Sequence, residues 1–514
     1  MGQKKQGSDS DQITEPKKRR RVGFAVPCWA DCFSSCSYGF DVDASVEANH
    51  CIKIYLVSSK EEVDAPNTNT CVIDPVDLNQ FFGEDGKIYG YQGLKITVWI
   101  SSISFHVYAD ITFESTSDGG KGITNLKPGL QDIFAENLVD SKDDFLQTFS
   151  TESQCIKYGF LIIHANATLK SSHIFQLIIE GALAVDRSII SKGEIMHQKP
   201  FHGQISNLDK PLEGETSELQ VARLVVSNMS VGHLYSRLVP LVLLLVDGST
   251  PIDVTDPKWE LYVVTEKQND QQGDSQCRLL GFTAIYRFYH YPDTSRMRLG
   301  QILVLPPYQH KGFGRYLLEV LNTVAIAEDV YDLTMEEPLD YLQQVRTCID
   351  ILRLLEFSPI EDAVKSAITC LKQGKLSKKV QPPRLAPPST AVENVRKSLK
   401  INKKQFLQCW EILIYLGLNP TDKYMENFTE FISNRMKAEF LGRDSENAGK
   451  RVIDVRSDYN SEMSFVLFKT QSNEGRSIEL NGSETNQEDQ LRQLVDERIK
   501  EIKLIAEKVS LQRA

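Results

Sequence analysis

The sequence is short of long apolar runs. Its best candidate, Leu238 to Val246, is nine residues long and contains Pro240, whereas a membrane-spanning helix needs about twenty; the run reads as a buried segment. Paired cysteine spacing is also missing. The ten cysteines are scattered, no secretory leader is expected ahead of them, and they read as reduced thiols of a nucleocytoplasmic protein. Cys28, Cys32 and Cys36 fall four apart, but a zinc site needs a fourth ligand at matching distance. The nearest further candidates are His50 and Cys51, so no metal is expected. Positive charge is in deficit: 58 basic against 69 acidic residues leave a net charge of −11. Nucleic-acid binding through a general basic surface is thereby excluded, while steering of a basic substrate and simple solubility both account for the sign. There is no internal repeat, no Walker G-x-x-x-x-G-K-S/T loop, and no third glycine for a dinucleotide fingerprint.

What is present concentrates between Gly300 and Val320. Ile302 to Leu305 reads as a buried strand, stopped by Pro306 and Pro307. Gln309, Gly312 and Gly314 follow, and the apolar spacing then turns helical at Leu317, Val320, Leu321 and Val324. The first N–H groups of a helix lack internal partners and its dipole is positive there. Glycines let a backbone approach a pyrophosphate, and Lys311 and Arg315 add positive charge. These residues ask for a phosphate-bearing cofactor, although a bland glycine turn fits them too.

The chain of 514 residues is long enough for two or three domains. Residues 1–45 read as a disordered tail carrying the basic run Pro16-Lys-Lys-Arg-Arg-Arg-Val22, similar to a nuclear localisation signal; a solvated charge cluster is the other reading. Residues 46–210 form an N-terminal domain of strands and loops, with strands at Cys51–Val57, Leu94–Ile100, Ile103–Phe113, Phe160–Ala165 and His173–Ile179. Residues 211–375 hold the cofactor loop. There a helical stretch up to Val246 precedes strands at Glu260–Thr265, Arg278–Tyr289, Met297–Leu305 and Val330–Met335. The helix after Gly312 lies between the last two, and strand–helix–strand implies a parallel pair in a mixed sheet. Residues 376–390 are a Pro/Lys-rich linker. Residues 391–514 are mainly helical, with apolar stripes in Lys403–Leu416 and Gln490–Val509, and 440–490 are without clear pattern.

The spacing Gln-x-x-Gly-x-Gly between strand and helix resembles the acetyl-CoA loop of GNAT-type N-acetyltransferases. The flanks extend the likeness: Asp332-Leu-Thr-Met-Glu336-Glu337-Pro338, Trp259-Glu-Leu-Tyr-Val-Val, Gly281 to Pro292, and Phe82 to Ile96. In this order they resemble the catalytic subunit of the type B histone acetyltransferases, from about Ile73 to Leu416 and most closely from Asp247 to Arg346. The resemblance implies an α+β fold, with a mixed-sheet acetyl-CoA-dependent N-acetyltransferase core, an N-terminal β-rich domain and a C-terminal helical region.

It also implies roles. Acetyl-CoA would be held by Ile302, Leu303 and Val304 and by the loop Gln309, His310, Lys311, Gly312, Phe313, Gly314 and Arg315. The general base would be Glu336, with Glu337 supporting it where the family usually has Asp, and Asp247 standing for a family Glu. Partial burial would suit Glu336 to that task, although Glu-Glu-Pro also suits a helix start. Substrate contacts would fall on Glu84, Asp85 and Gly86 and on Trp259, Tyr286, Arg287 and Phe288. Gly-Glu-Asp-Gly serves equally as an ordinary turn, and Arg287 replaces a small polar residue. The implied activity is acetyl transfer to lysines of the tail of free, newly made histone H4, with a WD-repeat histone-binding protein as partner and residence in nucleus and cytoplasm. An acetyltransferase for a non-histone amine and a non-catalytic histone escort are the alternatives. A DNA-binding regulator is contradicted by the acidic total.

Overall fold

The computed structural model describes residues 45–64, 70–83, 85–118, 120–149, 193–201, 217–269, 275–372, 385–418, 422–440 and 484–513. The basic run 16–22, Cys28, Cys32, Cys36, Glu84, the expected strands 160–165 and 173–179, and most of the linker and of 440–490 lie outside these residues.

The N-terminal lobe is built on a five-stranded sheet. Its strands are β1 (Ile52–Val57), β2 (Cys71–Ile73), β3 (Lys95–Ser101), β4 (Val107–Thr112) and β5 (Leu138–Val139), in the order β2-β1-β3-β4-β5. β1 and β3 run parallel, and β3 and β4 antiparallel. The expected strand start at Ile103 moves to Val107. Phe105 takes a positive φ of 60° and its N–H bonds back to Ser101 O (3.0 Å), so 101–106 is a turn.

The second sheet carries β6 (Glu194–Phe201), β7 (Ser217–Val225), β8 (Trp259–Asn269), β9 (Ser275–His290), β10 (Thr294–Val304) and β11 (Leu333–Met335), in sequence order. Every pairing is antiparallel except β10–β11, which is parallel as the strand–helix–strand reading required. Two expectations change here. The sheet begins at Glu194, so a boundary at 210 cuts through it. Ser217–Val225 is a strand, not helix; its near-continuous buried run fits either, and bonding to β6 and β8 on both sides decides for strand.

Helix α1 (Met229–Leu245) packs between the two sheets, and the expected buried segment lies in it, with Leu238, Leu241 and Val242 fully buried. Pro240 inside it has no N–H to give the carbonyl of Ser236, four residues back. The side-chain amide of Asn137, from the N-terminal lobe, reaches that oxygen at 3.5 Å and Arg237 O at 3.3 Å. The missing backbone bond thus becomes a tie between the lobe and the core.

On the other face of the sheet lies α2 (Phe313–Ala327), with Leu317, Leu321 and Ala325 fully buried on it. Beyond it, α3 (Asp340–Leu355), α4 (Glu361–Lys372), α5 (Ser389–Leu399), α6 (Lys403–Gly417), α7 (Asp422–Phe440) and α8 (Glu484–Arg513) share one apolar core around Trp410, Phe406 and Ile505. The helical layer therefore starts at α3, before the linker. Among the described residues no helix is long and apolar enough to cross a membrane.

Candidate active site

The site begins with a fault in a strand. β10 pairs Ala284 with Gln301 but Ile285 with Leu299, so Gly300 is an extra residue bulged out of the ladder. Before it, Met297 and Leu299 pack toward α2; after it, Leu303 packs toward α1 while Ile302 and Val304 turn to α2. One bulge switches every later side chain to the other face, as the period of two demands. It switches the peptide groups as well. Leu299 O accepts from Glu336 N, just past β11 (2.9 Å), whereas beyond the bulge Leu305 N donates back to Leu280 O on β9 (2.9 Å). Alternation then aims the amides of Ile302 and Val304 at the edge that β11 has left, since its pairing stops at Leu299. The Val304 carbonyl on that edge is held by the side-chain amide of Gln309 (3.0 Å).

Gly300 is walled in. A Cβ built there would lie 3.0 Å from the Trp259 ring and 3.8 Å from Glu336 Oε2. Trp259 meets Tyr286 edge-to-face at 4.9 Å, Tyr286 meets Phe288 at 4.6 Å, and the Arg298 guanidinium stacks 4.3 Å from the Phe288 centroid. Tyr286 OH donates to Asp256 (2.9 Å). These side chains make a half-buried aromatic floor ending at a carboxylate. Glu336 follows β11 and its Oε1 lies 3.9 Å from Arg298. Its side chain is 55% exposed, so the partial burial expected for it is absent. Glu337, also exposed, sits at a positive φ of 34° in the turn leading to Pro338.

The loop after β10 is a short 3-10 turn, Pro306–Tyr308, then Gln309, and α2 opens at Gly312 with φ 87°. Only glycine takes that angle without strain. No side chain caps this helix end and its first turn holds no acid. A Cβ at Gly312 would meet nothing within 4 Å, and one at Gly314 would meet only Val304 Cγ2, at 3.7 Å. Open space above uncapped amides fits an anion such as a diphosphate. Around it His310, at a positive φ of 61°, is 6.5 Å from the ring of Tyr341 on α3, which is 65% exposed. Arg315 pairs with Glu319 (2.7 Å), and Phe313 is buried in the core, so only its backbone can face a ligand.

The structure thus brings Trp259, Tyr286, Phe288 and Glu336 to one face of the sheet, beside the strand 302–304 and the loop 309–315. Asp247 is exposed just past the end of α1, in a turn whose Ser249 and Thr250 bond the Gln301 side chain. One expected contact falls elsewhere. Arg287 points to the opposite face, where it bonds Glu260 (2.7 Å) and Glu328 (2.6 Å), because alternation separates it from Tyr286 and Phe288. It therefore does not face the aromatic floor. Asp85 accepts from Tyr89 OH and from Lys87 N (3.3 Å), the Tyr89 hydroxyl above all drawing its carboxyl below the usual range, and Gly86 lies against Asn79; both form a turn of the N-terminal lobe. Sequence reasoning passed over Arg298, Gly300, Gln301 and Tyr341. A glycine inside a strand pattern was the available signal for the bulge; the other three depend on pairing that spacing does not encode.

Comparison with known proteins agrees in kind. Residues 44–247 match the family model described as histone acetyl transferase HAT1 N-terminus. A histone acetyltransferase type B catalytic subunit of Arabidopsis thaliana is 53% identical over 512 residues, 99% of this chain and 98% of its own length. One of Zea mays is 45% identical over 503 residues, 97% and 94%, and one of Dictyostelium discoideum 26% over 384 residues, 73% and 66%. Among solved structures, an aminoglycoside acetyltransferase from an uncultured soil metagenomic sample covers 23% of this chain at 14% identity with a TM-score of 0.18, too low to carry weight.

Proposed function

The chain belongs to the histone acetyltransferase type B catalytic subunits and is a histone acetyltransferase, and on that premise we propose that it transfers acetyl from acetyl-CoA directly to lysines in the tail of free, newly synthesised histone H4, with Glu336 as general base. The observation that carries this reading is the juxtaposition at Gly300: a carboxylate, an aromatic floor and the strand edge that β11 has left meet around one residue without a side chain.

Acetyl-CoA supplies an acetyl group already activated as a thioester. The chain's residues do the rest. The uncapped amides at 313–315 and the cations Lys311 and Arg315 suit the diphosphate. The amides of Ile302 and Val304 suit the carbonyl oxygen as it gains negative charge. A lysine amine is almost wholly protonated at neutral pH, so a carboxylate must first accept its proton; Glu336 is beside the floor on which the tail would lie. The freed amine forms the N–C bond, the C–S bond breaks, and the departing thiolate takes up the second proton that the attacking nitrogen gives up. No nucleophilic cysteine is needed. Glu337 and Asp247 add negative charge around the incoming amine, and the apolar stem of lysine suits Trp259, Tyr286 and Phe288. Asp85 and Gly86 extend the tail's path.

The same reading gives the protein a WD-repeat histone-binding partner and a place in both nucleus and cytoplasm. It is tested by incubating the purified chain, alone and with such a partner, with labelled acetyl-CoA and a panel of histone peptides, then locating the label by mass spectrometry. Label is expected on lysines of the H4 tail, with faster transfer to whole H4 when the partner is added. Label confined to other histones or to small amines would overturn the substrate assignment.

A further inference from the structure

Gln301, the residue after the bulge, is buried and its side chain is fully engaged. Its Oε1 accepts from Tyr235 OH on α1 (2.9 Å). Its Nε2 donates to Ser249 Oγ (3.0 Å) and to Thr250 O (2.7 Å). Tyr235 OH in turn accepts from Ile252 N (3.0 Å), so the turn 249–252 is held at both ends by one tyrosine–glutamine pair. The backbone of Gln301 is fixed as well, because Thr283 Oγ1 donates to its carbonyl from β9 (2.7 Å). Within that turn, Ser249 N closes back on Val246 O (3.2 Å), which leaves Asp247 and Gly248 as an exposed corner between a buried helix end and a bolted segment.

A surface turn needs no such anchorage for stability alone; its residues could satisfy their polar groups in water. Here a buried amide spends both donors on the turn, from the strand position next to Gly300 and one residue before Ile302. A buried network with every member satisfied fixes geometry. We propose that Gln301 is a positioning residue: it sets where the carboxylate of Asp247 stands relative to the strand edge at 302–304, and so couples the acid on α1's corner to the strand that faces the acetyl group. The inference rests on the reading of Asp247 given above.

The test is a double-mutant cycle on the full chain, with Gln301→Leu, Asp247→Asn and the double variant, reading kcat and KM for an H4 peptide and calorimetric affinity for acetyl-CoA. Gln301→Leu is expected to lower kcat by roughly 10- to 100-fold, the scale of an ångström-sized misplacement, with acetyl-CoA affinity unchanged. In the Asp247→Asn background the same substitution should have little further effect, because both act through one group. Tyr235→Phe, which keeps the ring and removes only the hydroxyl, should follow the same pattern and covers the case in which Gln301→Leu fails to fold. Full additivity with Asp247→Asn, or a matching loss of acetyl-CoA affinity, overturns the positioning role alone. Full activity of Asp247→Asn by itself overturns the role of Asp247, and this inference with it.

Discussion

Gly312 and Gly314 serve the same helix end in different ways. Gly312 is required by its backbone, at φ 87°. Gly314 has an ordinary backbone angle and room for a side chain, the nearest atom to a Cβ being Val304 Cγ2 at 3.7 Å. What Gly314 keeps clear is the space over the amides. An aspartate there would fold, and would itself gain about 0.3–1 kcal/mol from the helix dipole. It would also occupy the amides an anion needs and repel a diphosphate. Gly314→Asp is therefore expected to lose acetyl-CoA binding in calorimetry while its melting temperature holds or rises. Unchanged binding would remove the diphosphate from this loop. Glu336 shows the opposite balance between residue and setting: it is exposed rather than enclosed, and its place is set by the backbone bond to Leu299 and by Arg298.

At the scale of elements, the strand–loop–helix unit from Ile302 to Val324 was legible because prolines and glycines punctuate it and its apolar period changes from two to 3.6. The parallel β10–β11 pair followed from the helix between them. β7 was not legible, since a buried strand and a buried helix segment share a composition and only the flanking strands decide. The face switch at Gly300 was invisible for a similar reason: it exists only against Ala284 and Ile285. The turn between β3 and β4 was read as strand. It ends in His106, which is buried with Nδ1 unpartnered. Burial, and then the nearby Arg237, push this imidazole down to about 4 from its ordinary 6.5. The unfolded chain therefore binds the proton more tightly. The stabilising contribution is whole above about pH 6.5 and is lost progressively as the pH falls toward 4. From pH 7 to 5 the loss is about 2 kcal/mol. His106→Leu removes the titration, so between pH 7 and pH 5 the unfolding free energy of the parent should fall relative to that of the variant by that amount; parallel pH dependences would contradict it.

At the scale of the molecule, the strand that leads to Glu336 is held from outside the sheet. Leu333 N donates to Lys400 O (2.9 Å), Leu333 bridges Ile401, and the buried Arg346 of α3 donates to Leu333 O (3.0 Å). The C-terminal helices are thus part of the site's scaffold and not an appendage. The proposed nuclear import is assigned to the basic run: deleting Pro16–Val22 should shift the protein toward the cytoplasm on imaging, and an unchanged distribution leaves the run without that role. The proton transfer is tested most directly by single-turnover acetylation of an H4 peptide by Glu336→Gln, with acetyl-CoA affinity measured beside it. Transfer is expected to slow by about 10²- to 10⁴-fold with affinity intact; transfer at the parental rate would place the base on another group.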